Sequence, residues 1–142
     1  MIGSDGFVEK VNDSFISLFG YNEKEVFNKN VNKLITSEQN LSDSLEVNRQ
    51  AFEGIANTQE TTRLTKSRQK IPVLVNTVPI IYDKKVIAVY GIYVDLREQK
   101  QLEINLQQSV QEKDILLQEV HHRIKNNMAQ VKSMLRKTTS RV

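Results

Sequence analysis

Residues 58–98 read TQETTRLTKSRQKIPVLVNTVPIIYDKKVIAVYGIYVDLRE. Threonine and β-branched residues dominate this stretch, and two polar clusters, Lys66–Gln69 and Asp83–Lys85, interrupt it. Such composition favours strands, and such interruptions favour turns. Three successive antiparallel strands are expected, over Gln59–Thr65, Ile71–Ile81 and Val86–Val94. In the middle one Val73, Val75, Thr77 and Pro79 alternate with Leu74, Asn76, Val78 and Ile80. One side of that strand is mostly apolar and the other mixed, the pattern of a sheet with one covered face.

Upstream the units are shorter. Met1–Ser4, a Ser4-Asp5-Gly6 turn, and Phe7, Val8 and Val11 suggest a small hairpin. Asn12 or Asp13 can then cap a helix whose stripe is Phe15, Leu18 and Phe19, with Gly20 at its end. Asn22 can cap a second helix carrying Glu23 and Glu25 where the helix dipole favours acid. Ser42–Phe52, with Leu45, Val47, Ala51 and Phe52, is expected as a third helix stopped by Gly54. The fold class is therefore α+β, an antiparallel sheet with small helices on one face.

Downstream of Asp95 the sequence has neither glycine nor proline, and Gln, Glu, Lys and Leu prevail. One long helix from about Leu96 into the 130s follows. Leu102, Leu106, Val110, Leu117, Val120, Ile124, Met128, Val131 and Leu135 recur at steps of three or four, the seam of a helix that pairs with others. The stripe breaks at Lys113, where Ile115 and Leu116 shift the apolar face. The expectation is a homodimeric parallel coiled coil that becomes a four-helix arrangement near Leu117. Three segments result: 1–95, an α+β domain; 96–116, a coiled-coil linker; and 117–142, a partial helical dimerisation segment.

Composition narrows the function. The 142 residues carry a net charge of +3, with 12 basic and 13 acidic side chains in 1–98 and 8 basic and 4 acidic in 99–142. That basic tail holds no aromatic residue, so nucleic-acid binding is not expected. Without cysteine there is no disulfide framework, thiol nucleophile or thiolate metal ligand. No run approaches the roughly 20 apolar residues needed to cross a bilayer, so no membrane segment is expected and a cytoplasmic setting is the default.

Asp5-Gly6 before the second strand, Asn12 opening the first helix, Gly20-Tyr21 closing it, and Glu25-Val26 soon after occur in a fixed order. In that order they resemble the PAS family over residues 1–98. Asp95-Leu96-Arg97-Glu98 occupies the place of the family's signalling motif, commonly Asp, an aliphatic residue, Thr and Glu. Arg97 departs from it, and Asn28 stands where glycine is common, tolerable because Asn accepts a left-handed backbone. The segment LLQEVHHRIKNN, residues 116–127, is similar to the phosphoacceptor helix of sensor histidine kinases marked by HHR, an aliphatic residue and KNN. That resemblance implies His122 as the phosphorylated histidine and a homodimer. It further implies a response regulator as partner and a following ATP-binding domain that the 142 residues are expected to lack. ATP and magnesium would then belong to the parent protein, and this stretch alone would be inactive.

Physical reasoning adds to the resemblance. At about 100° per residue the seam from Leu117 to Leu135 spans about 80°. His122 points nearly away from it, and His121 borders it as a packing residue. An acceptor that receives phosphate from one domain and passes it to another protein needs an exposed face. Imidazole suits the task because one ring nitrogen can attack a phosphoryl group while the other is held. Glu119 and Asn126 share the face of His122. Glu119 is the candidate to orient the ring, and Asn126 to steady phosphoryl oxygens. The bland alternative is a pair of solvated histidines, with Glu119, Lys125 and Asn126 an ordinary polar surface.

Asp95 and Arg97 are the expected signal-coupling residues, with Arg63 and Lys70 as candidate partners for Asp95. The PAS resemblance implies a small pocket between helices and sheet, with Phe15, Phe19, Phe52, Leu64, Val75 and Val89 as candidate liners, although core packing is the favoured reading for each. Neither a thiol-linked chromophore nor an imidazole-bound haem is available to residues 1–98. No cofactor and no metal is identified, and an unknown metabolite in the pocket is left open. A competing function is a non-enzymatic ligand-binding and dimerisation module whose helix docks a partner protein. A self-sufficient enzyme is disfavoured because the sequence offers no glycine-rich phosphate cradle or magnesium-binding acid cluster.

Overall fold

The computed structural model describes residues 1–140, with side chains as far as Arg136. Arg141 and Val142, the end of the expected 117–142 segment, lie outside the described residues. By internal contacts the chain divides into Met1–Lys100 and a second unit beginning at Gln101.

The first unit holds β1 (Ile2–Gly3), α1 (Asp13–Phe19), α2 (Glu23–Val26), α3 (Val31–Ile35), α4 (Glu38–Phe52), β2 (Asn57–Leu64), β3 (Lys70–Tyr82) and β4 (Lys85–Asp95). The strands form one antiparallel sheet in the order β1-β4-β3-β2. The expected meander is present, with bounds moved by a residue or two. The expected N-terminal hairpin shrinks to a bridge between Ile2 and Val8.

Local chemistry sets the helix ends. Asn12 Oδ1 accepts from Phe15 N at 2.9 Å, and Gly20, at φ 80°, closes α1 in the left-handed region open to glycine. Asn22 and Glu25 form a reciprocal capping box on α2. Two expectations need correction. The third helix starts at Glu38 rather than Ser42, and α3 was not anticipated. Asn30 Oδ1 caps α3 by accepting from Asn32 N at 3.1 Å.

The alternation along β3 settles the sheet's two faces. Ile71, Val73, Val75 and Thr77 are buried, while Leu74, Asn76 and Ile80 are half-buried and Val78 is exposed. The buried set meets Phe19, Val26 and Ile35 from the helices and Val89 from β4, all without exposed surface. Tyr93 stands edge-on to Phe15 and Phe19, at ring-centroid distances of 5.9 and 5.2 Å. The β3–β4 hairpin turns on Asp83 (φ 49°) and Lys84 (φ 62°), two successive left-handed residues as a type I′ turn requires.

The helix α5 (Arg97–Ser140) is the expected long C-terminal helix. From Gln101 to Arg136 every residue is exposed in the single chain, including the seam positions from Leu102 to Val131.

Candidate functional site at the sheet–helix junction and on the long helix

Strand β4 passes into α5 through Asp95 and Leu96. Leu96 is buried, and its N–H donates to the Pro72 carbonyl at 2.9 Å, so the sheet's hydrogen bonding continues one residue past the strand. Asp95 Oδ1 accepts from the backbone N–H of Arg97 at 3.0 Å, satisfying one of the donors that a helix start leaves open. The Arg97 guanidinium folds back on the same carboxylate, with Nε 3.0 Å and Nη2 2.8 Å from Oδ2. This hydrogen bond holds the Asp95 carboxyl below its ordinary range and pushes Arg97 up. The expected partners of Asp95 were Arg63 and Lys70; the structure pairs it with Arg97 instead. The residue that departs from the family motif is thus the one that closes the junction.

A second tie was not foreseen. Lys100 Nζ lies 3.0 Å from Glu60 Oε2 on β2, fastening the first turn of α5 to the sheet. Forty residues separate the two, and no local spacing announces them. The buried Leu96 was similarly hidden between charged neighbours, although an apolar residue inside a charged motif is itself a signal.

On α5, Glu119, His122 and Asn126 fall on one helical face and all three are exposed. The neighbouring His121 is exposed as well. The six suggested pocket liners sit elsewhere: Phe15, Phe19, Leu64, Val75 and Val89 are buried, and Phe52 packs against the core partly buried. Of these only Phe15 lines a groove of about 550 Å³ on the same domain. It runs between the N-terminal segment, with Val8, Lys10 and Val11, and the Tyr90–Tyr93 part of β4. There β4 is paired with β3 on one side only, because β1, on its other side, pairs just with Ala88 and Val89.

Residues 1–98 match the family described as PAS domain. The chain belongs to the PAS domain family. Beyond the PAS domain, residues 119–142 match the family described as Histidine kinase. A PAS domain followed by a histidine-kinase segment is the organisation of a sensor histidine kinase. The fold is similar to the PAS domain of a protein from Colwellia psychrerythraea, at 21% identity over 68% of this chain and 82% of that one, with a TM-score of 0.61. It is similar also to the light state of the blue-light photoreceptor Aureochrome1 LOV, at 15% identity over 75% and 88% of the two chains, with a TM-score of 0.57. Both likenesses bear on the PAS fold alone. No curated protein matches the chain. Among the described residues no helix is long and apolar enough to cross a membrane.

Proposed function

We propose that the chain is the sensory and phosphoacceptor part of a two-component sensor histidine kinase, with His122 accepting phosphate from ATP held by a catalytic domain of the parent protein. One observation carries this: a PAS domain precedes a histidine-kinase match that contains HHRIKNN, with His122 on an exposed helical face. In this assignment residues 1–95 sense, 96–116 transmit, and 117–142 dimerise and accept phosphate.

The chemistry divides among few groups. A ring nitrogen of His122 attacks the γ-phosphorus, the bond from that phosphorus to the bridging oxygen of ADP breaks, and the ring proton is lost as phosphohistidine forms. Glu119, one turn before, accepts a hydrogen bond from the N–H of the other ring nitrogen and so fixes the tautomer. Asn126, one turn after, offers its amide to phosphoryl oxygens. A response regulator then withdraws the phosphoryl group from the same exposed face. The exposed seam of Leu102, Leu106, Val110, Leu117, Val120, Ile124 and Met128 is covered by a second copy of the helix. In the intact kinase, His122→Gln abolishes acid-labile labelling from ATP. Undiminished labelling of that variant would end the assignment.

A further inference from the structure

Every residue of β2 that shares the inward side with the core residues of β3 is polar. Asn57, Gln59, Thr61 and Arg63 pair with Thr77, Val75, Val73 and Ile71, whose side chains are buried. Arg63 is the extreme case, 3% exposed. Its Nη1 donates to the Thr62 carbonyl at 2.9 Å and to Thr61 Oγ1 at 3.4 Å, while its buried Nε finds no acceptor. No carboxylate among the described residues forms an ion pair with it, Asp95 being engaged by Arg97. Burial lowers the guanidinium's pKa, and the opposing influence is the Tyr93 phenol.

A guanidinium removed from water without a counter-ion is among the most costly arrangements in a protein interior, and arginine is almost never buried unpaired. The elements facing β2 add to the anomaly. Helix α3 packs against β2 and against α4, and Asn32 Nδ2 of α3 donates to the Ser44 carbonyl of α4 at 3.4 Å. On these elements Thr36 Oγ1, at the end of α3, and Ser44 Oγ are buried without a hydrogen-bond partner, as is Asn57 Oδ1 on β2. Buried polar atoms in a folded protein nearly always have partners.

From this we infer that the interior of the sensor, beside the inward row of β2, is a binding site for a small oxyanion, a carboxylate or a phosphate, with Arg63 as its charged anchor. The planar guanidinium matches a two-oxygen group, and its unused N–H bonds are the donors such a ligand needs. Thr61 and Gln59, half-buried on the same row, complete the polar lining. Because Arg63 is only 3% exposed, ligand entry requires local opening over the inward side of β2, against which α3 packs. Binding is thereby coupled to the helices that overlie the sheet. This inference rests on the sensory reading of the PAS domain and not on the role of His122.

The test is thermal unfolding of the 142-residue chain, followed by the sheet's far-ultraviolet signal, with succinate, inorganic phosphate, or sodium chloride at matched ionic strength. Succinate or phosphate should raise the melting temperature by about 4 °C or more at saturation, and chloride should not. Which of the two acts tells a carboxylate from a phosphate ligand. Arg63→Met, which keeps the stem and removes the charge, should fold, melt no lower than wild type without added anion, and show no shift. Arg63→Lys should retain a reduced shift. No specific shift from either anion in wild type, or an equal shift in Arg63→Met, would overturn the inference. Either result would leave labelling of His122 unaffected.

Discussion

Arg97 grips Asp95 with both backbone and side chain: its N–H lies 3.0 Å from Oδ1 and its Nη2 2.8 Å from Oδ2. The pair sits where the strand ends and the helix begins, so one carboxylate caps α5 and anchors its second element of charge. Both side chains are well exposed, 46% for Arg97 and 37% for Asp95, which limits their energetic worth. Asp95→Ala is therefore expected to cost about 1 kcal/mol or less, the low end for a lost helix cap. Urea denaturation checks this. A loss of several kcal/mol would mean that the junction carries far more of the fold than a cap does.

The same pair fixes a pH dependence. Arg97 holds the Asp95 carboxyl below its ordinary range, so the stabilisation is complete above the unfolded value, about 3.9. It disappears as pH falls through the lower folded value. The stability difference between wild type and Asp95→Asn should be constant around neutrality and shrink below about pH 4. Paired urea titrations at pH 7 and pH 3 measure it. A difference that grows in acid would contradict the pairing.

Lys100 and Glu60 should show a coupling of about 0.2–1 kcal/mol in a double-mutant cycle, weakening as salt rises. In the intact kinase, Lys100→Ala is expected to narrow the range over which stimulus changes His122 phosphorylation, because it frees the root of α5 from β2. An unchanged range would assign coupling to Leu96 and the strand alone.

Oligomeric state offers an independent check. The exposed apolar seam of α5 predicts a dimer at tens of micromolar, seen by light scattering. Leu117→Asp with Ile124→Asp should give a monomer whose sheet remains folded. A wild-type monomer under the same conditions would contradict the helical pairing.

Much of this architecture was legible in the sequence, for definite reasons. The meander announced itself because β3 alternates strictly from Ile71 to Thr77 and turns fall at polar clusters. The long helix did so because nothing after Asp95 breaks it. Helix α3 escaped notice because five residues among asparagines carry too little periodicity, although Asn30 before Val31 was a usable cap signal. The start of α4 was placed late because its apolar positions begin after a polar first turn. Burial of Arg63 was not legible, since an arginine in a threonine-rich strand reads as a surface residue until the facing helices are in place. The partner of Asp95 was sought across the sheet and lay two residues away.

The central claim is that His122 takes the phosphate, and it is tested most directly by supplying a histidine-kinase ATP-binding domain of the same class in trans, with labelled ATP and magnesium. Without that domain the 142-residue chain should take up no label. With it, the wild-type chain and His121→Gln should acquire acid-labile label and His122→Gln should not. Label that persists in His122→Gln, or that vanishes in His121→Gln while His122 is intact, would contradict the account.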